Sequence, residues 1–151
     1  MLRHTVATVA YRARKALHGA PESFAGFSSG EKGRTPVAIV AHMGDLFDWA
    51  LSIAMGKQAW TDSTPLPWAQ EVERFFRSLK AFDDYLASDQ ALNASPEKIF
   101  QGAVADALTH TGQINMLRRM AGCPIRGENY YRAEIAVGRV GQEQAAPARE
   151  F

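Results

Sequence analysis

A single cysteine, Cys123, is all the thiol this chain has, which excludes an internal disulfide and any thiolate-rich zinc cluster. An excess of one charge sign is missing too: 17 Lys and Arg stand against 16 Asp and Glu, for a formal net charge of +1. No dense basic block is present, so the concentrated positive face that neutralises phosphates is absent and nucleic acid is not an expected partner. No segment approaches the ~20 consecutive apolar residues that span a bilayer. The start, Met1-Leu2-Arg3-His4, runs straight into an amphipathic pattern and not into the apolar core of a signal peptide. The expectation is a cytoplasmic protein without a membrane partner. Solenoid-period repeats, low-complexity tracts and strand-like alternation are also lacking, so the class read from the sequence is all-α.

What is present is a chain of 151 residues, 46% hydrophobic and 22% charged, enough for one domain (1–151) with a real core. Four segments carry helical periodicity. The first, about 2–18, places Leu2, Val6, Val9, Ala13 and Ala16/Leu17 on one stripe and stops at Gly19 and Pro21. A Gly- and Ser-rich loop follows, with Phe24 and Phe27 to pin it. Thr35-Pro36 opens the second, about 36–55, with a hydroxyl cap and a proline where a missing N–H costs nothing. There Ile39, Met43, Leu46, Ala50 and Ile53 share a stripe, flanked by Ala38, His42 and Trp49.

The third helix, about 67–88, spaces Trp68, Val72, Phe75, Leu79, Phe82 and Leu86 as a bundle seam. Ser95-Pro96-Glu97 starts the fourth, about 96–121, whose face carries Ile99, Ala103, Asp106, His110, Gln113/Ile114 and Leu117. Gly122 and Pro124 close it. The tail, 122–151, is irregular apart from a short turn around Tyr130, Tyr131 and Ile135, and segments of this kind are ordered by packing on the bundle or on a neighbouring subunit.

Chemistry is read where polar groups interrupt apolar faces. Asp106 and His110 are i, i+4 and project from one side of the fourth helix, in line with residues expected to be buried. A carboxylate there is costly unless paired, hydrogen-bonded or bound to a cation. His42 likewise sits beside an apolar stripe, with Asp45 three residues on, as either its orienting partner or an exposed acid. Two imidazoles and a carboxylate make a workable divalent-metal set that leaves coordination positions open. The plainer reading of the same spacing is an intrahelical Asp106–His110 pair with an unrelated His42.

The blocks VAHMGDLFDWALSIA (Val40 to Ala54) and THTGQINMLRRMAGCP (Thr109 to Pro124) resemble the DinB/YfiT-like superfamily of metalloenzymes. Its proteins carry one histidine in the second helix and a His-x-x-x-His pair in the fourth, commonly followed by Gly-Gln and a Leu-Arg pair. His42 matches the first. His110, with Thr111-Gly112-Gln113 and Leu117-Arg118-Arg119, matches the last, while Asp106 stands where the family usually has histidine. The resemblance runs from Arg34-Thr35-Pro36 through Gly122.

It implies a four-helix bundle of up-down-down-up order and a divalent metal, Zn or Ni, on His42, Asp106 and His110. It also implies thiol S-transfer or isomerisation with a low-molecular-weight thiol as co-substrate, or else hydrolysis, on a small-molecule substrate. That topology makes helices two and three parallel. The connection from Gly56 to Leu66 spans at most roughly 37 Å, against about 30 Å for a 20-residue helix, so the crossover fits only if nearly straight.

Other residues read more plainly. Cys123 follows a helix C-terminus, which disfavours a thiolate. His18 suits the end of the first helix, and the three tryptophans suit core or rim packing. Arg118, Arg119, Arg126 and Arg132 read as solvated or paired with acids such as Glu128, with one or two able to take a substrate carboxylate. Two readings of function stay open: a metal-dependent enzyme, and a non-catalytic small-ligand or stress-response module with a degenerate metal site. The aromatic seam and the tail would suit a homodimer under either.

Overall fold

The start signals act as expected. Thr35 Oγ1 accepts from the Ala38 N–H at 3.4 Å and Pro36 takes the first position of α2 (Pro36–Ala54). Ser95 Oγ accepts from the Lys98 N–H at 3.3 Å at the start of α4 (Pro96–Ile99). In the computed structural model, which describes residues 1–31 and 33–151, these elements are joined by α1 (Leu2–Leu17), α3 (Trp68–Ala87) and α5 (Ala105–Met120). A π-helical segment, Phe100–Val104, runs without a break from α4 into α5, so the three form one fourth helix. Helix ends fall within a residue of those read from the sequence. The stop signals hold too: Gly56 and Gly122 take φ of +73° and +74°, a conformation that glycine adopts without steric cost.

Contacts along the helices fix their directions. Arg74, early in α3, meets Ala41 early in α2, and Tyr85, late in α3, meets Ala54 at the end of α2. Helices α2 and α3 are therefore parallel. Arg3 at the start of α1 pairs with Asp83 near the end of α3, so these two are antiparallel. Arg118, near the end of α5, donates to the Ala16 and His18 carbonyls at the end of α1, which makes α1 and α5 parallel. The bundle is up-down-down-up, with α1 and α2 at opposite corners, each touching α3 and α5. The aromatic seam of α3 is spent inside it: Phe75 and Phe82 lie either side of Phe47, each with ring centroids 6.1 Å from it, and Trp68 meets Phe24 edge-on at 5.8 Å.

The parallel crossover returns along the outside of α2. Ser52 holds Ala59, and Asp45 then accepts from the Ser63 hydroxyl at 2.7 Å and its N–H at 3.0 Å. Glu71 accepts from the Leu66 N–H at 2.7 Å. Arg74 joins the two acids, donating to Glu71, to Asp45 at 2.9 Å and to the Ala41 carbonyl at 2.6 Å. Burial alone would lower its pKa, but Glu71 and Asp45 outweigh that and raise it. Gly44 makes the room, since a Cβ there would lie 2.9 Å from the guanidinium carbon. Asp45 is thus neither an exposed acid nor a partner of His42: it is buried and clamps the crossover.

Two further expectations are corrected. Arg118 is buried, and besides the end of α1 it donates to the Cys123 carbonyl at 2.7 Å, so it is neither solvated nor acid-paired. Glu128 bonds Tyr11 (2.6 Å) and Lys15 (2.8 Å) on α1. Those bonds seat the tail along the α1 and α3 side of the bundle, with Val140 buried and Lys15 also gripping Glu150 at 2.6 Å. Helix α2 is long and apolar enough, by length and composition only, to cross a membrane, and 56% of its most apolar stretch is buried in the bundle.

Candidate metal centre

The site lies where α2 and α5 run antiparallel, on the side of the bundle away from the tail. His42 projects from the middle of α2, and Asp106 and His110 from successive turns of α5. The His42 and His110 rings stand edge to face with centroids 4.8 Å apart. Asp106 Oδ2 is 3.5 Å from His42 Nε2, and Asp106 Oδ1 is 3.5 Å from His110 Nε2. One ligand atom from each residue lies within 4.8 Å of the other two, a grouping that could hold a metal ion. The three side chains read from the sequence are brought together.

The burial expected of Asp106 is not met. Its side chain is 45% exposed, against 10% for His110 and 19% for His42. The cause is the π-helical segment before it: a π turn holds about one residue more than an α turn, so residues beyond it are offset around the helix axis. The core side of α5 becomes Ala107, Ile114 and Leu117, with Asp106 at its edge. A rim carboxylate keeps its hydration and needs no buried partner, and the histidines form the floor beneath it.

Neighbours prepare both imidazoles. His110 Nδ1 lies 2.8 Å from Gln113 Oε1, one helical turn on. An amide oxygen only accepts, so this contact favours the neutral tautomer with the ring proton on Nδ1, which directs Nε2 toward Asp106 and His42. Burial first, then the nearness of His110 and the charge of Arg34, hold the His42 pKa below its ordinary 6.5, although Asp106 pulls the other way. His42 is therefore neutral at pH 7, the form that ligates metals. Trp60 of the crossover packs edge-on against His42 at 5.5 Å and Trp49 at 5.9 Å, restricting the ring's movement.

From the sequence, Gln113 reads only as part of the motif after His110 and Trp60 only as core or rim packing, with neither linked to the histidines. The Gly-Gln following His110 was a usable signal for the first. Trp60 offered none, because it lies in a loop whose path depends on the Asp45 clamp.

Clefts open on both sides of the trio. One, of about 550 Å³, is bounded by His110, Gln113 and apolar side chains further along α5. The other, of about 460 Å³, is bounded by Trp49, Gly102 and Asp106. No protein-family model, curated protein or solved structure matches this chain.

Proposed function

We propose that this protein is a metal-dependent enzyme of the DinB/YfiT-like kind, in which His42, Asp106 and His110 bind a divalent ion, Zn or Ni, and leave part of its coordination sphere open. The observation that carries the reading is the placement of Asp106, each oxygen 3.5 Å from one imidazole nitrogen. Ligand atoms about 2.0–2.2 Å from a tetrahedral zinc lie roughly 3.3–3.6 Å apart. The two spacings are of that size, made by different Asp106 oxygens, and the three ligand atoms, now within 4.8 Å of one another, would draw in further around an ion. A bound ion of this type lowers the pKa of a coordinated water or thiol toward neutrality, which supplies a nucleophile for S-transfer or hydrolysis.

The chain's own residues have separable tasks. Gln113 holds the His110 tautomer that leaves Nε2 free. The depressed pKa of His42 means that no proton need be displaced from it at neutral pH. Asp106 brings negative charge at the rim, bordering the cleft beside Trp49 and Gly102. Trp60, backed by Trp49, covers His42 on the α2 side. A low-molecular-weight thiol fits this proposal as co-substrate, since a thiol is the softer of the two groups such an ion activates.

The test is elemental analysis of untagged protein purified without chelator. About one ion per chain is expected, lost in His42→Ala and in His110→Ala. A metal that binds only the folded state must also raise the melting midpoint, by about 2.7 kcal/mol in stability at a hundredfold excess over Kd. Wild type without metal and with no response to Zn or Ni overturns the proposal in favour of a non-catalytic module.

A further inference from the structure

The larger cleft beside the trio is neither uniformly polar nor uniformly apolar. His110 and Gln113 bound it at the metal centre. Met116, Leu117 and Met120 continue it along α5, with Ile39 of α2 opposite and Ser29 and Arg34 from the loop before α2 at its mouth. At about 550 Å³ it falls within the range of small-molecule sites. Met116 and Met120 are each 54% exposed, a large apolar area to leave in water and one whose flexible thioethers adapt to varied shapes.

Arg34 supplies the contrast. Among the described residues no acid forms an ion pair with it. Several arginines on the bundle are committed, Arg3 to Asp83, Arg74 to Asp45 and Glu71, and Arg118 to carbonyls, whereas Arg34 is exposed at the cleft. Its charge is also felt at His42, which places it within electrostatic reach of the trio. A guanidinium with its donors free, at the end of an apolar cleft, suits a planar two-oxygen anion.

We propose that this cleft binds an organic acid, a carboxylate on an apolar body, with Arg34 receiving the carboxylate, the Met116–Met120 side of α5 covering the body, and the remaining end directed toward His110. This deepens the metal-enzyme reading and rests on it for what happens to the bound acid. Arg34 is then the residue that sets the substrate's charge, acting on a part of the molecule apart from the reacting end.

Calorimetric titration of the full chain with octanoate and with octanamide tests it, on protein as purified and after EDTA. Octanoate is expected to bind about tenfold or more tightly than octanamide, the difference a charge-assisted pair makes. Within the carboxylate series from butanoate to octanoate, affinity should rise about three- to fourfold for each methylene fully buried. Both effects should survive EDTA, because neither uses the metal. Arg34→Ala should abolish the preference for octanoate while leaving metal content unchanged, and Arg34→Lys should restore part of it.

Equal binding of acid and amide, failure of both to bind, or a preference that persists in Arg34→Ala overturns the proposal. So does a preference that disappears with EDTA, which would put the carboxylate on the ion. If the preference stands in wild type but the protein holds no metal and does not respond to added Zn or Ni, the cleft assignment survives and the metal-enzyme reading fails.

Discussion

Gln113 and His110 form a pair in which the amide oxygen accepts from the ring Nδ1–H at 2.8 Å, one turn apart on α5. The bond decides which nitrogen is free to ligate. Removing such an outer partner generally weakens metal binding 10- to 100-fold. Gln113→Leu is therefore expected to lower zinc affinity by about that factor in a competition titration, with the melting point of the metal-free protein barely moved because Gln113 is exposed. Gln113→Glu keeps an acceptor and should retain affinity. Unchanged affinity in Gln113→Leu would mean that the bond does not set the tautomer.

Arg74 holds two buried carboxylates, and its value is clearest when it is removed. Arg74→Met leaves Asp45 and Glu71 buried without their cation, which costs about 3–5 kcal/mol in comparable cases. Denaturant unfolding should show a loss of that order. The triple variant Arg74→Met, Asp45→Leu, Glu71→Leu should recover most of it, since a buried triad exchanges for apolar packing at little net cost. The crossover between Ala59 and Leu66 should be cleaved faster by protease in the single variant, because its anchors at Ser63 and Leu66 depend on the same acids. Resistance equal to wild type would separate the crossover from the clamp.

The tail should come loose in acid while the bundle persists. Its hydrogen bond and ion pair with Lys15 hold the Glu150 carboxyl below its ordinary 4.5. A depressed carboxyl contributes stability above its unfolded pKa and loses it as pH falls through the folded value, so the tie is held above about 4.5, weakens below that and is lost as pH falls through the lower folded value. At the alkaline end burial opposes protonation of Lys15, but Glu128 and Glu150 outweigh it and raise its pKa. That contribution is whole below 10.5 and is lost only at still higher pH. Amide exchange at Phe151 and Asn129, whose N–H groups donate to Gly127 and Arg149, reports the tie. Protection should drop in acid before it drops in α1 and α3, and Lys15→Met should remove the pH step.

What the sequence disclosed follows from the range of each interaction. Caps and stops are local, so Thr35-Pro36, Ser95-Pro96, Gly56 and Gly122 marked helix ends to within a residue. The seam of α3 was equally plain because its period is written in six large side chains. Asp45, by contrast, meets Arg74 29 positions away, and Arg118 meets Ala16 across 102 positions, distances at which spacing carries no information. The exposure of Asp106 was misread for a subtler reason: the π-helical segment changes the phase of the fourth helix, and Phe100–Val104, with one glycine at Gly102 and no proline or charge, does not announce it. The trio itself was legible because an i, i+4 pair survives any phase shift upstream of it.

Asp106 is the residue through which the metal site can be tuned. Its side chain is 45% exposed, so a larger group has room to turn toward the two imidazoles without entering the core. Imidazole suits Zn and Ni, whereas carboxylate oxygen suits harder ions such as Mn. Asp106→His is therefore expected to tighten Zn and Ni binding and to weaken Mn. Asp106→Ala, with only His42 and His110 left, should weaken all three by roughly an order of magnitude or more. The order Asp106→His, wild type, Asp106→Ala in zinc affinity, measured by competition with a chromophoric chelator, places Asp106 in the coordination set. Identical zinc affinities in all three proteins would remove Asp106 from it and leave the carboxylate as a hydrated rim acid beside two histidines.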